Sequence, residues 1–177
     1  IHVGLTFPLR HQRPAMMYVT GILMITASAC ALTAWVCRKK IGKMWSGFHK
    51  FPSVIILLCL LIHIFFGISS LTEYRKAVEN ISIHSIDVSD LSDGIYYGEC
   101  NVGYIYARVC VNISNGSIQN VSLMEHRKER GQRAEVIPQR ITEKQKTKVD
   151  AVSGATNSSK VIMKAVENAL SEEIEKE

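Results

Sequence analysis

Asp-Ala-Val-Ser-Gly-Ala-Thr-Asn-Ser-Ser, residues 150–159, separates a region with strand-like sequence from a helical run. Ser158 or Ser159 can cap this helix, because a hydroxyl accepts a free N–H of the first turn. Small residues at Gly154 and Ala155 allow a bulky group to approach the backbone closely. The free N–H groups and the dipole at a helix start favour a phosphate. Apolar residues recur at helical spacing beyond the stretch, namely Val161, Ile162, Ala165, Val166, Ala169 and Leu170.

Upstream of this stretch the pattern changes to strands. Residues 94–100, 104–114 and 117–125 are rich in β-branched and aromatic residues. Asn115-Gly116 predicts a two-residue hairpin turn, because both central positions of a type I′ turn need positive φ. A helix is predicted over 134–146, with Pro138 interrupting its first turns. We therefore expect an α+β domain with an antiparallel sheet.

Two motifs together resemble the FMN-binding domain of the C and G subunits of bacterial sodium-pumping and Rnf-type redox complexes. Asp-Gly-Ile-Tyr-Tyr-Gly at 93–98 is similar to that family's opening motif, and 150–159 fits its Asp-x-x-Ser-Gly-Ala-Thr-x-x-Ser pattern. The resemblance covers about residues 90–171. It implies that FMN is attached through a phosphoester bond to Thr156.

The resemblance also assigns roles to the neighbours of Thr156. Ser153, Gly154 and Ala155 would surround the flavin phosphate. Asp150 would be recognised by a separate flavin transferase that takes FMN from FAD. Asn157 departs from the common pattern, and Ser159, which stands where many members have threonine, is the alternative acceptor.

The implied function is electron transfer between a membrane donor and an extracytoplasmic acceptor, as one subunit of a larger redox assembly rather than a stand-alone enzyme. Two alternatives stay open. The flavin could act directly on a small substrate as an extracellular reductase. The domain could also be an anchored binding or signalling module without flavin.

Two apolar runs, 15–37 and 51–71, precede the domain. Each is long enough to cross a bilayer core of roughly 30 Å. Residues 38–50 between them hold five cations and no acid, which predicts a cytoplasmic loop. We therefore predict an external segment 1–14, two transmembrane helices in contact with membrane lipid, a linker 72–89, and an extracytoplasmic domain 90–177. A signal peptide is the competing interpretation of the first run.

His49 and His63 flank the second run. They are 14 residues apart, about 21 Å along a helix, and so share a face. This arrangement resembles b-type cytochromes and ferric-reductase-like membrane proteins, and it makes both histidines candidate haem ligands. The partner histidines would come from another subunit, a homodimer or an upstream helix, because 15–37 holds none. An interfacial role for His49 and a packing role for His63 are the alternatives.

The remaining polar features are less specific. Cys100 and Cys110 fit either an extracellular disulfide or two thiols. The basic stretch 127–133 is expected to be a solvated loop, or else a docking patch for an acidic redox partner. The formal net charge of +5 equals that of residues 38–50, so it indicates topology and not nucleic-acid binding. Zinc-ligand spacing, a nucleotide-binding glycine loop and a Ser/His/Asp arrangement do not stand out.

Overall fold

A computed structural model describes residues 15–128 and 130–174 of the chain, with side chains as far as Ser171. The predicted external segment 1–14 lies outside the described residues. The chain divides into two compact units, one ending at Glu73 and one beginning at Tyr74.

The first unit is helical. Helix α1 spans Ala15–Val36, α2 spans Arg38–Ile41 and α3 spans Trp45–Glu79. The last residues of α3, 74–79, belong to the second unit. The predicted loop 38–50 is therefore largely helical, and the chain turns at Gly42, whose φ of +61° ends α2. Helices α1 and α3 are long and apolar enough to cross a membrane by length and composition. Such helices near the N-terminus are typical of a membrane anchor and, for α1, of a signal sequence.

The second unit contains a three-stranded antiparallel sheet in the order β1-β2-β3. Strand β1 spans Gly94–Asn101, β2 spans Tyr106–Ser114 and β3 spans Ser117–Arg127. Asn115 and Gly116 have φ of 52° and 66°, which confirms the predicted hairpin turn. The α+β composition and antiparallel pairing expected from the sequence are both present.

Two helices complete this unit. A short 3₁₀ turn, Gln132–Val136, leads into α4, Ile137–Lys144, and the last helix is α5, Thr156–Ile174. Pro138 lies in the first turn of α4, where its missing N–H costs nothing, so it begins the helix instead of interrupting it. The core lies between α5, α4 and the inward face of the sheet, with Val109, Val111, Ile137, Ile162 and Val166 fully buried.

The opening motif at 93–98 has a structural function at three positions. Asp93 Oδ1 accepts the N–H of Asn115 at 2.7 Å and so holds the hairpin. Tyr96 is buried and donates its hydroxyl to the Ser92 carbonyl at 2.6 Å. Gly98 lets α5 cross β1 closely, because a Cβ there would lie 2.7 Å from the Cα of Ala169. The motif therefore fixes the hairpin and the position of α5.

The segment predicted as a linker, 72–89, packs against this unit. The His84 N–H donates to Glu167 Oε2 at 3.1 Å, and the Thr147 hydroxyl donates to the His84 carbonyl at 2.7 Å. Thr147 Oγ1 also accepts the N–H of Ile86 at 3.1 Å. The buried apolar side chains of the segment are Tyr74, Val78 and Val88. Residues 74–89 of the predicted linker are therefore part of the folded unit.

The five cysteines are free thiols. In the β1–β2 register Cys110 lies opposite Tyr97, and Cys100 lies opposite Ala107. The two cysteines are thus separated by about 10 Å along the sheet, too far for a disulfide. Of the two alternatives for this pair, the structure favours thiols.

Candidate functional site

The site is built on the turn that starts α5. Gly154 has a φ of +76°, which favours glycine at this position. The Ala155 N–H donates to the Val152 carbonyl at 2.9 Å, and the Ser159 N–H donates to the Ala155 carbonyl at 2.9 Å. By helix geometry, the N–H groups of residues 156–158 lack an acceptor within α5. An anion beside this turn would be stabilised by those donors and by the helix dipole.

Thr156 is exposed and lines a pocket. The pocket has a volume of about 290 Å³ and is open to solvent. Its wall combines the start of α5 with one cation and with aromatic and aliphatic side chains from elsewhere in the second unit. The lining residues are Tyr74, Ile105, Arg130, Gly131, Gly154, Ala155, Thr156, Asn157 and Ser158.

Ser158 and Ser159 are adjacent buried residues with opposite hydrogen-bonding states. Ser159 Oγ accepts the N–H of Val152 at 3.0 Å and donates to the Ala155 carbonyl at 2.9 Å. Ser158 lines the pocket, yet its buried hydroxyl has no partner in the described part of the chain. Ser159 therefore holds the turn together, whereas the buried Ser158 hydroxyl is left without a hydrogen-bond partner among the described residues.

Gly131 makes room for Ser158. A Cβ at position 131 would overlap the Ser158 hydroxyl and lie 2.5 Å from the Ser158 Cβ. Arg130, the preceding residue, is exposed and lines the pocket with its cationic side chain. The middle of the basic stretch 127–133 thus supplies both a close backbone approach and a positive charge.

Asp150 and Ser153 lie on the exposed side of the turn. Lys144 Nζ lies 2.7 Å from Asp150 Oδ2, and Arg140 donates to the Asp150 carbonyl at 3.0 Å. The Lys144 ammonium holds the pKa of the Asp150 carboxyl below its usual value. Asp150 is thus an ionised surface carboxylate at neutral pH, and it is not among the pocket-lining residues.

The two candidate haem ligands lie on α3 in the other unit. The His49 ring stacks on Trp45 with centroids 5.2 Å apart, and His63 Nδ1 lies 2.9 Å from Thr20 Oγ1. The Thr20 hydroxyl also lies 2.8 Å from the Met16 carbonyl. If the Thr20 hydroxyl donates its one proton to that carbonyl, its oxygen accepts a hydrogen bond from His63 Nδ1–H. His63 Nε2 then keeps a lone pair. Residues 15–128 and 130–174 contain no group of three or more His, Cys, Asp or Glu side chains that could hold a metal ion.

Several pocket residues were not predicted as site residues. Tyr74 lies in the predicted linker 72–89, Gly131 lies in the basic stretch predicted as a solvated loop or a docking patch, and Ile105 lies just before β2. The sequence carried a signal only for Gly131, because a glycine inside a basic run indicates a close backbone approach.

Residues 103–171 match the family model of the FMN-binding domain. This match confirms the resemblance for that part of the chain. No curated protein and no solved structure matches the sequence significantly. The matched residues do not include the helical first unit, so the cytochrome resemblance of α3 stays a prediction.

Proposed function

From the FMN-binding domain at residues 103–171, we propose that the protein is a membrane-bound flavoprotein electron carrier with FMN attached covalently to Thr156. One observation carries the proposal: an exposed threonine hydroxyl stands at the N-terminus of a 19-residue helix, beside an open pocket. The unpartnered Ser158 hydroxyl, the Arg130 side chain and the free N–H groups of the first turn supply what a phosphodiester needs.

The attachment step is a phosphoryl transfer with FAD as co-reactant. Thr156 Oγ attacks the flavin-side phosphorus of FAD, the pyrophosphate P–O bond breaks, and AMP leaves. The hydroxyl proton departs with the leaving group or to solvent. The transfer changes no oxidation state. Among the described residues, no histidine lines the pocket beside Thr156. A separate transferase would therefore supply the base, and the exposed Asp150 carboxylate would serve as part of its recognition surface.

The geometry favours Thr156 over Ser159 as the acceptor. Ser159 is fully buried, and both hydrogen bonds of its hydroxyl belong to the turn. An attack through Ser159 would require the first turn of α5 to open. Thr156 needs no such change, because its side chain is exposed.

Bound flavin supplies one- and two-electron chemistry. The protein's part would be to hold the cofactor permanently at an open site where another redox protein can reach it. The test is to reduce the flavinylated protein in membranes with a quinol, and separately in detergent with dithionite. We expect reversible bleaching of the flavin absorbance in both. A flavin that bleaches with dithionite but exchanges electrons with no membrane donor or protein acceptor would contradict the carrier role.

Two other functions make different predictions. A flavin reductase would reoxidise rapidly with a small substrate that binds beside the flavin. A non-flavinylated binding or signalling module would show no flavin absorbance even when an active transferase is present. Visible absorbance of the purified protein therefore separates the second alternative from the other two.

The membrane location is also part of the proposal. The charge of residues 38–50 favours a cytoplasmic position for this segment, with the flavin domain on the other side of the membrane. The test is protease digestion of intact spheroplasts, which should remove the C-terminal domain. Protection of that domain until the membrane is lysed would contradict this topology and place the domain in the cytoplasm.

We also propose His63 and His49 as haem b ligands in the helical unit. The hydrogen bond between His63 Nδ1 and Thr20 favours the tautomer whose Nε2 can bind iron, since metal-binding histidines commonly donate their other ring N–H. Each haem would still need a second ligand from another subunit, a homodimer or an upstream helix. A Soret band that is lost in His63→Ala would support this, and its absence from protein made in haem-replete cells would refute it.

A further inference from the structure

The pocket beside Thr156 has an aromatic wall from outside the matched domain. Tyr74 lies in the last turns of α3, upstream of residues 103–171. It belongs to the second unit, is 8% exposed, and lines the pocket together with Thr156 and Asn157. The folded site therefore takes a side chain that the family match does not cover.

Two contacts fix the Tyr74 ring. Asn157 Nδ2 donates a hydrogen bond to the Tyr74 hydroxyl at 3.0 Å. The Tyr104 ring packs edge-to-face against Tyr74, with centroids 5.1 Å apart and planes at 86°. Asn157 directly follows Thr156 in the chain. The orientation of the phenol is thus tied to the residue next to the proposed attachment point.

The chemistry of this wall suits a flat aromatic ligand. Tyr74 offers a ring held in place, and Ile105 adds an aliphatic surface in the same pocket. The phosphate-binding groups, by contrast, come from the start of α5 and from Arg130. Aromatic rings pair favourably in offset or edge-to-face arrangements. One pocket thus combines a phosphate-binding end with an aromatic surface.

We infer that Tyr74 is the aromatic contact of the isoalloxazine ring in the flavinylated protein. The inference rests on the proposed attachment at Thr156. A phenol against the flavin quenches its fluorescence, because the excited flavin takes one electron from the phenol and then returns it. The ground states of both groups are restored, so no net oxidation occurs. The native protein should therefore be weakly fluorescent and become bright when it is unfolded.

The test uses the full flavinylated chain in detergent and compares flavin fluorescence before and after denaturation. Since the denatured signal measures the amount of attached flavin, the native-to-denatured ratio is independent of yield. Tyr74→Phe keeps the ring volume but removes the easily oxidised phenol and its bond from Asn157. We expect this ratio to rise severalfold. The matched control is Tyr97→Phe, since Tyr97 is 54% exposed on β1 and does not line the pocket.

Each outcome decides the inference. An unchanged ratio in Tyr74→Phe, or an equal rise in Tyr97→Phe, would overturn it while leaving attachment at Thr156 intact. A dark denatured wild type, with active transferase present, would instead remove the proposed attachment and this inference together. Visible circular dichroism of the flavin provides a second readout. The inference predicts a changed band in Tyr74→Phe, and an unchanged band would contradict it.

Discussion

Ser158→Ala should change stability in opposite directions before and after flavin attachment. In the protein without flavin, the Ser158 hydroxyl is buried without a partner in the described chain, a state that costs about 1–3 kcal/mol. Alanine removes this cost and leaves a void of about one oxygen atom. We expect the unflavinylated variant to gain about 1 kcal/mol in free energy of unfolding.

Attachment of FMN should reverse this sign. A hydrogen bond from Ser158 to a charged phosphate oxygen would contribute about 1.5–3 kcal/mol. The same substitution should then lower the free energy of unfolding by about 1 kcal/mol or more. A matched control is Ser159→Ala, whose hydroxyl makes two hydrogen bonds within the turn. That variant should be destabilised in both forms.

Hydrogen exchange of the β2 amides is the suitable assay. These amides lie in the central strand and open only when the unit unfolds. Both tryptophans, Trp35 and Trp45, lie in the other unit, so their fluorescence does not report on this one. A change of 1 kcal/mol alters the exchange rate about fivefold. Slower exchange of unflavinylated Ser158→Ala and faster exchange of the flavinylated variant would support the phosphate contact. Destabilisation of the unflavinylated variant by as much as Ser159→Ala would refute the reasoning.

Three further predictions concern the second unit. Gly98→Ala should lower the free energy of unfolding by about 3 kcal/mol or more, because the new Cβ would overlap backbone atoms of α5; a thermal midpoint equal to wild type would contradict the close approach. Burial raises the pKa of the Cys100 thiol to about 11, so maleimide should leave Cys100 unmodified at neutral pH until urea is added; a mass that rises on reduction would instead reveal a disulfide with Cys110. For Glu167, burial disfavours the charge but hydrogen bonds from Lys164 and His84 outweigh it, so the pKa lies below its ordinary value of 4.5. The stabilising contribution of the Glu167 carboxylate is present above pH 4.5 and is lost as the pH falls through the lowered pKa. The free energy of unfolding should therefore fall less steeply with acid pH in Glu167→Gln than in wild type. Superimposable acid limbs of the two stability curves would rule this out.

Local patterns in the sequence predicted most of the strands and the last helix. The hairpin at Asn115-Gly116 and the apolar spacing of α5 depend on neighbouring residues, so the chain alone reveals them. The pocket wall depends on distant contacts instead. Tyr74 and Asn157 are separated by 83 positions, and no periodicity links them. Tertiary packing of the segment 72–89 likewise overrides its polar, linker-like composition.

The candidate site at the start of α5 shows the same division. One short motif predicts Thr156 and the small residues before it as site residues. It does not predict the different roles of Ser158 and Ser159, because both are serines at the start of one helix. Only the folded turn shows that the hydroxyl of Ser159 is bonded twice and that Ser158 packs beside Gly131.

Intact mass and in-gel flavin fluorescence of the denatured chain test the central claim most directly. Wild type, Thr156→Ala and Ser159→Ala would each be co-expressed with an active flavin transferase. We predict that wild type gains the mass of one FMN less one water and fluoresces, that Thr156→Ala does neither, and that folded Ser159→Ala retains the flavin. An unlabelled wild type, or a Thr156→Ala chain that still carries covalent flavin, would contradict the account.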